Sequence, residues 1–286
     1  MVLLKNMNST IKKIAYSIWH LRAKLFCDFP LPCVLPYGSL YLAYGDGMGF
    51  MFFFKRPYEE NERKFVQKFL KLGMTFFDVG ANQGFYTLLA AKQVGQDGKV
   101  FSFEPVPSQI KKLRKNIKIN RFRNVTTEPL AIGSKSGRLN MYVCSNGDEA
   151  LSSLRVPAKD AYSPKEIINV QVTTLDDYVD ESKILSVDFI KIDVEGGELE
   201  VLKGAAGILK NMRPVIMCEV QDKRTAQWGY RASDICKFVD QYDYSWFDVV
   251  ENGLLKISGQ KDKHDISGEN LIAIPKEKIN SLAGFL

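Results

Sequence analysis

Several protein classes are excluded by what the sequence has little of. No run of residues is long and apolar enough to cross a bilayer. The N-terminus lacks an apolar secretory region followed by a small-residue cleavage site, so a cytoplasmic location is expected. The five cysteines, Cys27, Cys33, Cys144, Cys218 and Cys236, are odd in number and form no CxxC pair. Neither a disulfide framework nor a zinc site is suggested, and reduced thiols are the simplest reading. Internal repeats and low-complexity runs are absent. The net charge of +6 is mild for 286 residues, and aromatic–basic interleaving is missing, which argues against a nucleic-acid partner. What remains is ordinary: 45% apolar and 25% charged residues, enough for one sizeable core.

Residues 10–27 read as an amphipathic helix, with Ile11, Ile14, Ala15, Ile18, Leu21 and Leu25 at helical spacing and Lys12, Lys13, Arg22 and Lys24 between them. Packing of that stripe on the rest of the chain or on a partner subunit is the simpler reading. Weak contact with a membrane surface is the sharper one. Residues 29–36 hold three prolines and are expected as an irregular arm. Ser39–Ala43 and Phe50–Phe54, separated by a glycine-rich stretch, read as a β-hairpin. A helix follows from Pro57, with Phe65, Val66, Phe69, Leu70 and Leu72 inward and Gly73 as its stop.

From Thr75 strand and helix patterns alternate. Strands are predicted at 75–79, 99–104, 125–129, 188–193, 215–220, 246–250 and 271–274, with helices at 85–94, 108–120, 198–210 and 232–241. The rhythm implies a doubly wound α/β sheet. It breaks at 134–180, where two short strands, 138–143 and 170–174, are expected in an insertion that could cover a site.

The first strand of this series runs into a turn, Asp78-Val79-Gly80-Ala81-Asn82-Gln83-Gly84, and then a helix containing Thr87. Ligands of such sheets sit beyond the carboxyl ends of the strands. A dinucleotide site would carry GxGxxG and a positive potential for pyrophosphate, whereas this turn is GxxxG with Asp78 at the strand end. A cationic ligand without phosphate suits it better. A turn aspartate that only caps the helix is the plainer alternative. The next strand ends in Glu104-Pro105, where an acid can accept from both hydroxyls of a ribose.

With Phe77–Thr87 and Phe103-Glu104-Pro105 the chain resembles the FkbM family of S-adenosylmethionine (SAM)-dependent methyltransferases. Ala131-Ile132-Gly133, Ser152-Ser153-Leu154, Val172–Asp176, Ile190–Gly196, Glu198, Val201-Leu202 and Gly204-Ala205 continue the match. The resemblance implies the Rossmann-like class I methyltransferase fold, seven strands with the last antiparallel, here with an N-terminal helix and hairpin extension. The extension is expected at 1–72 and the methyltransferase domain at 73–286. It implies SAM as cofactor. Asp78, Gly80, Asn82, Gly84 and Thr87 would lie at its methionine end, Glu104 and Pro105 at the ribose and Ala131 at the adenine. The implied acceptor is a hydroxyl of a sugar, glycan or secondary metabolite. Nitrogen or protein methylation, or a non-catalytic SAM-fold module, are the alternatives.

Asp193 and Glu195 end another strand of the sheet. An alcohol acceptor must lose its proton, and a positioned base contributes roughly 10²–10⁴-fold. Either carboxylate fits that role. The alternative is that Asp193 binds SAM while Glu195 caps the following helix. A metal held by Asp193, Glu195 and Glu219 is a weaker option, and no metal is expected. His264 in a polar loop, and Trp228, Tyr230 and Arg231 after Glu219, are further candidates for the acceptor side. An oligomer is compatible with all of this.

Overall fold

The computed structural model describes residues 9–25, 29–144, 151–156, 166–251, 253–257 and 270–285. The chain opens with α1 (Ser9–Leu25), the antiparallel pair β1 (Leu31–Val34) and β2 (Leu40–Ala43), α2 (Gly47–Phe53) and α3 (Glu60–Phe69). Then come β3 (Thr75–Val79), α4 (Phe85–Val94), β4 (Lys99–Phe103), α5 (Pro107–Ile119), β5 (Val125–Glu128), β6 (Leu130–Ile132), β7 (Gly137–Val143) and β8 (Glu166–Thr173). The remainder is α6 (Leu175–Glu181), β9 (Phe189–Ile192), α7 (Glu198–Lys203), α8 (Ala206–Asn211), β10 (Val215–Glu219), α9 (Asp222–Thr225), α10 (Ala232–Asp240), β11 (Tyr244–Val250), β12 (Gly253–Lys256) and β13 (Asn270–Pro275).

The main sheet has the order β12-β11-β13-β10-β9-β3-β4-β5. β3, β9 and β10 are buried along their whole length, as strands covered on both faces must be. β13 runs antiparallel to both neighbours, β10 and β11. Apart from the edge strand β12, this is the expected class I methyltransferase sheet with its last strand reversed. The insertion forms a second sheet, β6-β8-β7.

Four expectations are corrected. The hairpin partner of β2 is β1, inside the stretch read as an irregular arm; Pro32 sits at the edge of this two-stranded sheet. Residues 50–53 belong to helix α2, because buried Asp46 caps it by accepting from Gly49 N at 2.7 Å. The stretch 198–210 is two helices. A Cβ at Gly204 would lie 2.1 Å from the Gly133 carbonyl oxygen, and a new helix starts where Asp176 accepts from Gly207 N and Ile208 N. Leu72, read as part of an inner stripe, is exposed.

The stripe of α1 is also turned round. Ile14, Ile18, Leu21 and Leu25 face outward, while Trp19 is buried. Trp19 packs on Phe50, Phe53 and Phe54 and donates Nε1 to the Asp46 carbonyl at 3.2 Å. An indole buries more apolar area than an aliphatic side chain and also needs a partner for its N–H, so it wins the inner position.

The N-terminal elements share one core with the main sheet, running from Trp19 through Phe52, Phe65 and Phe85 to Ile274. Asp46 clips them to it. Its Oδ2 accepts from Gln83 Nε2 at 2.6 Å and from Lys112 Nζ at 2.8 Å. Asp46→Ala leaves Lys112, Gln83 and the first turn of α2 without their acceptor, at an expected cost of about 3 kcal/mol. Urea unfolding followed by circular dichroism checks this.

Candidate active site

One cavity of about 320 Å³ lies beyond the carboxyl ends of β3, β4, β9 and β10. A row of side chains crosses the sheet beneath it. Ser102, Asp78 and Lys191 are register partners on β4, β3 and β9, so they stand on the same face. Thr87 of α4 bonds both Asp78 Oδ2, at 2.6 Å, and Ser102 Oγ, at 2.8 Å. Lys191 Nζ donates to Asp193 Oδ2 at 2.8 Å and lies 5.6 Å from the centre of the Tyr86 ring.

β3 and β9 come this close because Gly80 has no side chain. Its φ is +81°, and a Cβ there would sit 1.8 Å from the Asp193 carbonyl oxygen. Asn82 is left-handed at φ +48° and donates its N–H to Glu104 Oε2 at 2.8 Å. Glu104 Oε1 accepts from Val106 N at 2.8 Å. Burial pushes the Glu104 carboxyl up to about 7, against the pull of these two N–H groups. Asp78 is also raised by burial, with Lys191 and Thr87 opposing.

Of the sequence-predicted residues, Asp78, Gly80, Asn82, Glu104, Pro105, Ala131, Asp193 and Glu195 line the cavity. Gly84 and Thr87 stand behind it. Gly84 starts α4 at φ +95° against Leu113, and Thr87 holds Asp78. The insertion covers one side through Met141, Leu151, Ser152 and Leu154.

The strand ends at Ile192, so Asp193 and Glu195 do not share a face by strand period. Glu195 reaches the cavity from a left-handed residue, φ +58°, and pairs with Arg224 Nη1 at 3.1 Å. It does not cap α7. Glu198 organises this loop instead, accepting from Val194 N and Gly196 N at 3.0 and 3.1 Å. Burial pushes the Glu195 and Glu219 carboxyls up, with Asp193 adding to both and Arg224 opposing. Among the described residues no three acids, histidines or cysteines gather in a metal-holding group.

Trp228 lines the cavity, while Tyr230 anchors its loop by donating to the Gly196 carbonyl and accepting from Leu199 N. Arg231 is exposed and does not line the cavity. His264 lies outside the described residues. Sequence reasoning missed Glu59, which lines the cavity and accepts from Tyr86 Oη at 2.6 Å, and gave Lys191 and Arg224 no role. A lysine inside the otherwise apolar strand Phe189–Ile192 was a usable signal. Nothing in the sequence pointed to Glu59.

Raised carboxyl groups have a consequence for stability. Glu104 and Glu198 are both held at about 7, above their ordinary 4.5. The folded state therefore binds more protons than the unfolded one between those values, and stability falls as pH rises through that window. Each group contributes up to about 3 kcal/mol. Thermal melts of the ligand-free protein should show a higher Tm at pH 5 than at pH 8.

The sequence profile of the methyltransferase FkbM domain matches residues 78–246. The hexuronic acid methyltransferase AglP of Haloferax volcanii is 28% identical over 143 residues, covering 49% of this chain and 54% of that protein. The 2-O-methyltransferase NoeI of Sinorhizobium fredii is 28% identical over 163 residues, covering 53% of this chain and 65% of that one. The chain thus spans between about half and two thirds of the length of these curated relatives. The crystal structure of a methyltransferase FkbM from Methylobacillus flagellatus covers 92% of this chain and 59% of its own, at 14% identity and a TM-score of 0.48. The match over more than half of the chain, on the segment that builds this cavity, makes the protein a member of the FkbM methyltransferase domain family.

Proposed function

We propose that the protein is a SAM-dependent O-methyltransferase whose acceptor is a hydroxyl of a sugar, glycan or other small molecule. One observation carries the reading. Asp78 Oδ1 and Asn82 Oδ1 are buried without a protein hydrogen-bond partner in the cavity that Glu104 also lines. Buried acceptors without donors are costly, and a ligand offering an ammonium and hydroxyls would satisfy them. Phosphate would be repelled by the same acids.

Asp78 and Asn82 would accept from the α-amino group of SAM, and Glu104 from its ribose. Gly80 and Pro105 shape the wall, with Gly84 and Thr87 supporting from behind. Leu130, Ala131, Ile132 and Met141 form an apolar slot suited to adenine. When bound, SAM supplies an electrophilic methyl group on a sulfonium. Across the cavity, Glu195 is set to take the proton that the acceptor oxygen must lose as its bond to carbon forms. Arg224 keeps the ionised form of Glu195 accessible despite burial. Lys191 fixes the Asp193 carboxylate, and Asp193 lies between the two halves. With Lys191 and Arg224 supplying the counter-charges, no divalent ion is required. The partners in this reading are SAM and the acceptor, not nucleic acid. The setting is the cytoplasm, at or near a membrane surface.

The relatives' names favour a sugar acceptor: one is a hexuronic acid methyltransferase, the other a 2-O-methyltransferase. Labelled SAM incubated with extracts, followed by mass spectrometry of the product, identifies the acceptor. Asp78→Ala and Glu104→Ala are expected to weaken S-adenosylhomocysteine binding at least roughly tenfold by calorimetry. Glu195→Gln should lower kcat by roughly 10²-fold or more with that affinity nearly unchanged. EDTA should leave activity intact. Unchanged affinity in both alanine variants overturns the cofactor assignment, and full activity of Glu195→Gln overturns the base.

A further inference from the structure

Helix α1 leaves an apolar face uncovered. Ile14, Ile18, Leu21 and Leu25 are 54%, 62%, 55% and 68% exposed. At 3.6 residues per turn they fall within roughly 60° of one another. The helix cannot roll to bury them, because Trp19 and Tyr16 on the opposite side are locked against α2. Exposed Lys13 and Lys24 border one edge of the face. Arg22 borders the other, with its guanidinium over the Trp19 ring and donating to the Phe29 carbonyl at 2.7 Å. The helix contains no acidic residue. The Phe29 side chain, just beyond it, is 68% exposed.

We propose that this face of α1 docks in the plane of an anionic lipid bilayer. The inserted set is Ile14, Ile18, Leu21 and Leu25, with Lys13 and Lys24 at the headgroups. An aliphatic stripe edged by lysines on a helix free of acids is the pattern that favours such a surface, through apolar insertion and attraction to anionic headgroups together. A second copy of the chain fits less well. Four side chains offer a few hundred Å², short of the ~800 Å² that each partner contributes to a stable protein interface. Two copies would also bring basic edges together, lysine against lysine in an antiparallel pair and lysine against Arg22 in a parallel one. Among the described residues no helix is long and apolar enough to cross a membrane, so this helix lies on the bilayer rather than through it. α2, on which Trp19 packs, supplies Met48 and Met51 to the cavity wall. A bilayer seated on α1 is therefore one helix away from the cavity. The docking does not depend on the methyl-transfer reading.

The test is co-sedimentation of the full chain with vesicles of phosphatidylcholine alone and of phosphatidylcholine with phosphatidylserine. The wild type should bind the mixed vesicles and bind the neutral ones weakly. The double variant Ile18→Gln, Leu21→Gln removes apolar area without changing charge and should lose roughly tenfold or more of that binding. The double variant Lys13→Gln, Lys24→Gln should lose binding to the mixed vesicles only. Both should keep wild-type circular dichroism and S-adenosylhomocysteine affinity, since none of these residues touches the core or the cavity. Absence of the wild type from the mixed-vesicle pellet overturns the proposal, as does unchanged binding of the Ile18→Gln, Leu21→Gln variant. A concentration-dependent dimer in sedimentation velocity that this variant abolishes would make the face a self-interface instead. Failure of the wild type to bind S-adenosylhomocysteine would count against the function above and leave the docking result standing.

Discussion

The ammonium of Lys191 is the charge on which the site depends. It is buried in β9, opposite Asp78 in the register and bonded to Asp193 two residues on. Burial alone would lower its pKa, but Asp193, Asp78 and Glu59 more than offset this and hold it charged. The relation is reciprocal. Asp78 and Glu59 are both raised by desolvation, and in each the largest opposing attraction is Lys191. One cation therefore allows several acids to stand in a water-poor cavity, and removing one partner of such a set costs about 3–5 kcal/mol. Arg224 does the same for Glu195, so the acids of the cavity stand around two cations.

Much of this was legible in the sequence because local patterns and tertiary contacts agree there. The run Thr75–Val79 is wholly buried with Asp78 as its one charged residue, and the turn after it needs glycine at 80 for the Asp193 carbonyl to pass. Gly133 and Gly204, quoted for the resemblance, meet backbone to backbone, and Asp176 caps α8. These residues serve packing and capping, so they locate the fold better than the chemistry. The illegible part is non-local. Glu59 reaches the cavity from a different segment, held by Tyr86. The break between α7 and α8, the cap on α2 and the inward turn of Trp19 all follow from partners far away in the chain, which periodicity cannot show.

The N-terminal elements are more than an appendage to the sheet. Gln83, inside the first turn after β3, accepts from Tyr41 Oη at 2.7 Å and donates to Asp46. Asn116 of α5 donates to the Gln83 carbonyl and accepts from Leu42 N. The turn after β3 in the cavity wall is thus fastened from outside by β2 and Asp46, and Met48, Met51, Tyr58 and Glu59 add to the same wall. The segment from α2 to α3 therefore builds part of the cavity rather than standing apart from it.

Of the eight described non-glycine residues at positive φ, three stand in the cavity wall. Glu59, Asn82 and Glu195 adopt positive φ of 41°, 48° and 58° without being glycine, and all three line the cavity. Each such conformation costs roughly 1–2 kcal/mol and persists only where its surroundings over-determine it. The surroundings here are the acids and their partners. Glu104 holds the N–H of Asn82, Glu198 holds both N–H groups flanking Glu195, and Tyr86 holds Glu59. Two of these clamps, Glu104 and Glu198, are themselves pushed toward the neutral form by burial. The cavity is therefore strained backbone held by reluctant carboxylates, with acceptor atoms at Asp78 and Asn82 still unpaired. Nothing in the protein alone relieves that arrangement. A ligand that donates to those atoms would relieve it, and under the function proposed above part of that cost would return as affinity for the ligand.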